Sequence, residues 1–515
     1  MAYTLLGGDY TASKHQAAIF DVMSNPNSGS RIVKSVAGSG KTTVIKNALR
    51  FFPAGTSVQG FAFNTEAAGN LKAALVEVTA ALGAAHTKGM RMGTFHSVCY
   101  HALLRHLNVQ ASACKPQGNK CRDLLRRRLG EEEYELYSSF VLKLVGLAKG
   151  EGIGALVPDI EDRWYAIISH HGLYLDSGDA TIERAVVIAR KLLCYSSRVA
   201  KTEKLIDFDD MLYLVVLWKL QLWQNDVVFV DEAQDTNPVR RAIAHLTLKT
   251  NGRLFAVGDP RQSIYGFTGA SVDAMDLIAR EFRTTELPLT VSYRCAQAVV
   301  AQARTWVDYI EASPHAPLGT VQHKVALKAA LELLTDTDAI LCRQTSPLVT
   351  LAYKLIAQGG AARVAGKEIG EGLINLVKLQ HAKGVEALRT KLSEWCEREA
   401  ARFTAKGEEA RAEGVNDRVA CIMVFIDNLP ENDRTIPALI RRIAELFEDR
   451  GGRMLTLSTV HKAKGQEWNT VAILRPDLMP SQAARQEWQQ EQEVNLMYVA
   501  STRAKTNLLY LDPNV

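Results

Sequence analysis

No stretch of this 515-residue chain approaches the uncharged apolar length that spans a bilayer, and its N-terminal MAYTLLGGDYTASKHQ lacks the basic segment and apolar run of a secretory leader. A membrane protein is therefore not expected, and the chain reads as soluble and cytoplasmic. Its eight cysteines include no CxxC pair, which argues against a zinc site, an iron–sulfur cluster or a disulfide framework. Most of them are expected to be small core residues. Charge of one sign is missing too: 61 Lys and Arg against 56 Asp and Glu leave a net charge of +5, so any polyanion contact has to come from local patches. Internal repeats, low-complexity tracts and long linkers are absent. What remains is ordinary globular composition on a chain too long for one core, hence several domains.

Short β-rich apolar runs recur at RIVKSVA (from 31), SVQGFAF (57), DVVFVDEA (226), RLFAVGD (253), DAILCR (338), MLTLSTV (454) and TVAILR (470). Helix-period stretches separate them, among them 64–82 and 239–247. Strands alternating with helices imply parallel sheets covered on both faces. The runs fall into two groups, before and after about residue 281, so two α/β domains are expected. Residues 98–204 and 373–450 lack the alternation and read as helices with charged faces, each a helical insertion. The expected domains are 1–97 with 205–281, interrupted by 98–204, and 282–372 with 451–515, interrupted by 373–450.

The segment SVAGSGKTTVIKNAL places a glycine turn between an expected strand and an expected helix, with Gly38, Gly40, Lys41 and Thr42 at P-loop spacing. In such a loop the backbone N–H groups of residues such as Ala37, Ser39 and Thr43 and the helix N-terminus cradle phosphates, Lys41 reaches the β and γ oxygens, and Thr42 can ligate Mg²⁺. The usual first glycine of the motif is Ser35 here. The run DVVFVDEAQDT ends an apolar strand in two carboxylates: Asp231 is suited to hold Mg²⁺ and Glu232 to polarise an attacking water. Together the two elements predict a site for ATP and Mg²⁺.

These motifs, AGSGKT and DEAQD, resemble the superfamily 1A helicases of the UvrD/Rep/PcrA group, and the likeness extends along most of the chain. Gln16 in TASKHQAAI matches the Q motif, implying an amide that reads the adenine edge. LFAVGDPRQSIYGFTGAS resembles motif III, with Gln262 sensing the γ-phosphate. VSYRCAQ resembles motif IV, implying that Tyr293 stacks on adenine and Arg294 is an arginine finger. LSTVHKAKGQEW resembles motif V, with Glu467 near the ribose and Gly465 allowing close approach. NLMYVASTRAKTNLLYL resembles motif VI, with Arg503 as second finger and Tyr498 its structural neighbour. The fold implied is α/β, two RecA-like parallel-sheet motor domains of P-loop NTPase type, with hydrolysis in the cleft between them coupled to stepping.

In that family single-stranded DNA crosses the tops of both lobes with bases stacked on aromatics, each stack contributing roughly 1 to 3 kcal/mol whatever the base. The matching positions are Phe63 and Asn64 in FAFNTEAA, Phe95 and His96 in GTFHSVCYHALLR, Tyr265 and Phe267 in motif III, and His461 in motif V. Phe61 is expected in the core. LIDFDDMLYL resembles an acidic helix that precedes motif II, and Asp207 to Asp210 are read as structural. Arg126 to Arg128 and Lys201 to Lys204 are read as phosphate contacts or as solvated helix faces.

Several positions depart from the family pattern. Thr43 replaces an arginine usually found over the adenine, which implies weaker base selectivity. Phe267 and Thr268 replace Trp and Arg, and GQEW replaces GLEF. The second insertion spans only about eighty residues and little follows motif VI, which argues against a fused nuclease. The resemblance implies an ATP-dependent translocase and helicase, moving 3′ to 5′ on single strands and at single-strand/duplex junctions. It also implies a monomer that replication or recombination proteins could engage. A DNA-stimulated ATPase that remodels or loads such proteins with little unwinding is the alternative.

Overall fold

The computed structural model describes residues 3–5, 11–171, 173, 175, 180–264, 273–358, 362–405, 409–448 and 454–512. It divides into two compact units, Met1–Val36 with Gly40–Thr290, and Ala37–Ser39 with Val291–Val515.

The first unit is built on six parallel strands: β1 (Arg31–Ser35), β2 (Val58–Ala62), β3 (Met90–Thr94), β4 (Asn225–Val230), β5 (Leu248–Gly258) and β6 (Thr285–Leu289). Their order is β3-β2-β4-β5-β1-β6. Successive residues of β1 point to opposite faces, so Ile32 enters one core with Val228 and Leu254, and Val33 enters another with Phe229 and Phe255. Both faces are covered, which is why the central strands read as unbroken apolar runs. The expected domain break at 281/282 falls one strand early. β6 pairs with β1 in parallel register from Arg31↔Thr285 to Ser35↔Leu289, and so belongs to this sheet.

The described residues of 98–204 are mainly helical, in segments Phe95–Leu107, Lys120–Arg126, Glu131–Glu151, Glu161–His170 and Ile182–Thr202. The helix Glu131–Glu151 starts with three acids at its positive dipole end and stops at Gly152, whose φ of 74° only glycine adopts cheaply. These helices do not form a separate core. Trp164, Leu144 and Phe140 share one continuous apolar cluster with Phe61 and Val230 of the sheet. Trp164 is fully buried, and truncating a Trp of this kind to Ala costs about 3–5 kcal/mol.

The second unit opens with a two-stranded parallel pair, β7 (Val291–Ser292) and β8 (Glu311–Ala312). Its main sheet comprises β9 (Thr320–Val325), β10 (Ala339–Cys342), β11 (Ala362–Val364), β12 (Leu455–Thr459), β13 (Trp468–Ile473) and β14 (Ala504–Leu511), all parallel, in the order β11-β12-β10-β13-β14-β9. The inserted helices Val385–Ala405, Glu409–Asp427 and Ile436–Leu446 bury Leu388, Phe425 and Leu439 in the same cluster as Ile340 and Leu457 of that sheet. Among the described residues no helix is long and apolar enough to cross a membrane. Five cysteines are buried, Cys121 and Cys396 are half-buried and Cys194 is exposed, and all are free thiols.

Candidate functional site

Because β1, β4 and β5 run parallel and side by side, the loops that follow them emerge on one edge of the first sheet. Those loops carry 36–40, 231–235 and 259–262. Gly38 and Gly40 have φ of 68° and 81°, and Gly40 leads directly into the helix Lys41–Ala48, whose first turn has no side-chain cap. Its leading N–H groups are thus left for another acceptor. Ser39 is buried, and its Oγ has no hydrogen-bond partner among the described residues. Ser35, the residue in place of the first glycine, donates its hydroxyl to the Gly258 carbonyl at 2.7 Å and ties the end of β1 to the end of β5.

Lys41 Nζ lies 3.0 Å from Glu232 Oε1. Glu232 is in the left-handed region (φ 50°, ψ 46°), an uncommon conformation for a residue with a side chain, and it is there that the chain turns after β4. Gln234 Nε2 donates to Glu232 Oε2 at 2.6 Å, and Gln234 Oε1 accepts the Asp259 N–H at 3.1 Å. Gln262 Nε2 donates to Asp259 Oδ2 at 2.8 Å. A side chain at Gly258 would place its Cβ 2.4 Å from Gln234 Oε1, so the close approach of β5 to the acidic loop requires glycine there. One hydrogen-bonded chain therefore joins Lys41, Glu232, Gln234, Asp259 and Gln262.

Electrostatically this cluster is short of positive charge. Burial first and the Glu232 charge second push the Asp231 carboxyl up to about 7. Burial pushes Asp259 up to about 6, against the pull of Lys41. Burial also opposes the Lys41 charge, but Glu232, Asp259 and Asp231 outweigh it and hold the ammonium above its usual value. A divalent cation would relieve this excess of carboxylate. The buried Asp231 and the exposed hydroxyl residue Thr42 are hard oxygen donors of the kind Mg²⁺ takes alongside phosphate oxygens. Thus the residues present fit both a nucleotide phosphate and Mg²⁺.

Gln16 is 2 % exposed. Its Oε1 accepts the Ser13 N–H at 3.0 Å in a capping box at the start of the helix Lys14–Ser24, and its Nε2 lies 3.7 Å from the Cβ position at Gly40. The fold brings this amide to the glycine loop across two dozen residues of sequence. Thr43 is half-buried on the following helix.

In the second unit, Arg294 Nε pairs with Glu467 Oε2, and Lys505 Nζ lies 2.8 Å from Glu467 Oε1. Burial alone would raise the Glu467 carboxyl, but the Lys505 hydrogen bond and the Arg294 charge leave it below its usual value. Arg503 is 1 % exposed and donates to the carbonyls of Val499 and Gln466, each at 3.0 Å, so in this state its guanidinium braces the 465–467 turn. Burial, then the neighbouring Arg294, push its pKa down to about 10. Tyr293 is exposed and Tyr498 fully buried.

The expected track residues divide. Phe63 is half-buried, with the Arg240 guanidinium 4.5 Å from its ring centre. Asn64 is exposed, and its Oδ1 caps the helix Thr65–Leu82 by accepting the Ala67 N–H at 2.8 Å. His96 is half-buried, its pKa pushed down to about 4 by burial and then by Arg240. His461 is also held neutral, at about 4, by burial and then by Arg343. Phe95 corrects an expectation. It is 2 % exposed and stacks on Phe61 with ring centres 4.2 Å apart and planes 4° from parallel, so it offers no ring face to a base. Phe61 is in the core as expected. Tyr265 and Phe267 lie outside the described residues.

The acidic helix is structural, as read. Asp207 and Asp210 form a capping box for Phe208–Leu217, and two buried lysines meet them: Lys120 lies 2.5 Å from Asp210, and Lys149 lies 2.6 Å from Asp207 and 2.8 Å from Asp210. Sequence reasoning missed those lysines, which are 90 and 61 residues from Asp210 and show no pattern. It also missed Asp259, although the signal was there: an acid at the end of an apolar strand, as at Asp231.

A model of the UvrD/REP helicase N-terminal domain matches residues 17–283, and a model of the UvrD-like helicase C-terminal domain matches 226–511. A probable DNA helicase II homolog of Mycoplasma pneumoniae is 26% identical over 312 residues, covering 57% of this chain and 42% of the relative. DNA helicase II of Haemophilus influenzae is 26% identical over 299 residues, 53% of this chain and 38% of the relative. ATP-dependent DNA helicase UvrD1 of Mycobacterium leprae is 24% identical over 463 residues, 77% of this chain and 54% of the relative. The chain thus spans about half or less of the length of these relatives.

Proposed function

The chain belongs to the UvrD/REP helicase family, and from that premise we propose that it is an ATP-driven motor that moves 3′ to 5′ along single-stranded DNA and opens duplexes at single-strand/duplex junctions. The observation that carries the hydrolytic half is the chain of contacts from Lys41 through Glu232 and Gln234 to Asp259 and Gln262. It supports that reading by joining in one hydrogen-bonded network the residues assigned here as phosphate-binding cation, water-polarising carboxylate and γ-phosphate sensor.

Within that reading Lys41 and the uncapped start of its helix hold the phosphates, and Gln16 reads the adenine edge. Glu232, now paired with Lys41, accepts the proton of the attacking water once the phosphates take over the lysine. Mg²⁺, held by Thr42 and Asp231, supplies charge neutralisation for the phosphate oxygens when bound. Arg294 and Arg503 are assigned as arginine fingers and Glu467 as the ribose neighbour. Since both arginines are engaged with the protein here, their engagement with nucleotide requires that the Arg294–Glu467 pair and the Arg503–Gln466 contact exchange partners. Base stacking falls to Phe63, and to Tyr265 and Phe267, while His96 and His461 contact DNA as neutral rings.

The test is ATP hydrolysis with and without oligo(dT), for the native chain and Lys41→Ala, followed by strand displacement on duplexes with a 3′ or a 5′ tail. Stimulation by DNA that Lys41→Ala abolishes, with displacement from the 3′ tail, is expected. Hydrolysis indifferent to DNA would end the motor reading, and displacement only from the 5′ tail would reverse the polarity.

A further inference from the structure

Arg240 has no role in any motif considered above, yet it sits between the acidic loop and the expected DNA track. It is the third residue of the helix Pro238–Leu246, which begins eight residues after the end of β4. Asn237 Oδ1 accepts its N–H at 3.0 Å and fixes the start of that helix. Its side chain turns back: Nη1 donates to the Asp235 carbonyl at 3.1 Å, and the guanidinium lies over the Phe63 ring at 4.5 Å.

Three features say that this cation is not there for the stability of the fold. It occupies the first turn of a helix, the positive end of the dipole, where a cation is unfavourable. It is half-buried, and burial holds its pKa below the ordinary arginine value even though Asp235 and Asp209 pull the other way. And it makes no ion pair with a carboxylate among the described residues, whereas the next residue, Arg241, pairs with Glu281 at 3.0 Å. An arginine desolvated to this depth without a counter-ion is short of one anion, and its planar fork suits a phosphate. His96, whose pKa burial and then the Arg240 charge push down to about 4, carries no competing charge at neutral pH.

We propose that Arg240 is a DNA-backbone contact, holding the phosphate next to the base that stacks at Phe63. Stacking platform and phosphate clamp then form one unit, with the guanidinium braced against the ring. The bond to the Asp235 carbonyl ties the clamp to the loop that carries Glu232 and Gln234, so an anion drawn to Arg240 pulls on the hydrolytic loop directly. The inference rests on the DNA-motor reading above and adds a residue to it.

The experiment measures binding of fluorescein-labelled oligo(dT) by anisotropy, without nucleotide, from about 50 to about 300 mM salt, for the native chain, Arg240→Gln and Arg240→Lys. Loss of one phosphate contact on a single strand lowers the magnitude of the log–log salt slope by about 0.7 and weakens binding about fivefold at 0.1 M salt. That is the result expected for Arg240→Gln, while Arg240→Lys keeps the native slope. A native slope and affinity in Arg240→Gln overturns the proposal. So does weaker binding with an unchanged slope, because a purely structural arginine would lose affinity without changing the number of ions released. Should Arg240→Gln melt below the assay temperature, Arg240→Lys decides: a retained slope supports the phosphate contact, and a slope lowered by about 0.7 despite the retained charge overturns it. If the native chain itself shows no salt-dependent binding, the DNA-track reading falls and this inference with it. Native binding with an unaffected Arg240→Gln removes the inference alone.

Discussion

Two clusters of buried lysines and aspartates lie in the first unit, and they behave oppositely. In the helical region Lys120 and Lys149 meet Asp207 and Asp210, two charges against two. Although burial works against it, the Lys149 charge holds the Asp207 carboxyl below its usual value, and the carboxylates hold Lys149 well above its own. At the ends of β4 and β5 a single lysine, Lys41, faces Glu232, Asp231 and Asp259, and there two carboxyls are pushed up to about 7 and about 6. The balanced cluster satisfies itself and pins helices. The unbalanced one is left short of positive charge, which suits the metal-nucleotide site proposed for it.

The comparison breaks most visibly at the lysines. Lys41→Ala is expected to reduce ATP hydrolysis at least about a hundredfold, measured by phosphate release, because it removes the positive charge that faces the three carboxylates and is proposed to reach the terminal phosphates. Lys149→Met should instead lower stability by about 3–5 kcal/mol, read as a lower urea midpoint with unchanged m-value, since it leaves Asp207 in the interior without its ion-pair partner, while Asp210 keeps Lys120. The reverse pattern at either lysine would dissolve the distinction.

The carboxylates sharpen it, because the two substitutions should differ in sign. The folded pKa of Asp231 is raised, so its neutral form is favoured by folding, and stability is lost as pH climbs from its unfolded value near 4 through about 7. Asp231→Asn should therefore raise the melting temperature at pH 8, with a gain that shrinks below pH 7 and vanishes near pH 4, while hydrolysis is lost. The folded pKa of Asp207 is lowered, so its contribution is present above the unfolded value and lost as pH falls through the folded one. Asp207→Asn should lower the melting temperature at pH 8. Two melting series against pH check both signs.

A smaller effect follows from the same deficit. Mg²⁺ without nucleotide should raise the melting temperature of the native chain at pH 8 by a few degrees, and Asp231→Asn should erase most of that rise. The least effect is expected from the histidines. With His96 and His461 both at about 4, oligo(dT) affinity should be flat from pH 6 to pH 8, and a fall across that range would mean that one of them is charged in the DNA complex.

All seven strands expected from apolar runs exist, and the strands that escaped notice are instructive. They include all four edges of the two six-stranded sheets: β3, with exposed Arg91; β6, whose TELPL includes a proline; β9, whose TVQHKV is polar; and the three-residue β11. A central strand buried on both faces must be apolar throughout and is legible, whereas an edge strand faces solvent and carries the charges and prolines that keep it from pairing further. The missed β6 is also why the expected domain break fell at 281/282 rather than at Thr290.

The candidate site was legible for a related reason. A phosphate loop needs glycines at fixed spacing and a metal-binding acid needs a strand end, so Gly38, Gly40, Lys41, Asp231 and Glu232 are written locally in the chain. Spacing alone could not tell Phe95 from Phe63, since both are aromatics near strand ends, and only packing decided that Phe95 stacks on the core residue Phe61 while Phe63 stays half-buried beneath Arg240.

By itself, then, the sequence determined two parallel α/β units, and a candidate nucleotide loop with its acid pair, because those depend on backbone conformation and on residues adjacent along the chain. Only the tertiary structure decided which charges are balanced. Lys149 reaches Asp207 across 58 residues, and Asp259 joins Lys41 through two glutamine-linked contacts. Charge balance in an interior is a property of neighbours in space, and a linear chain does not record which lysine will be left facing one carboxylate too many.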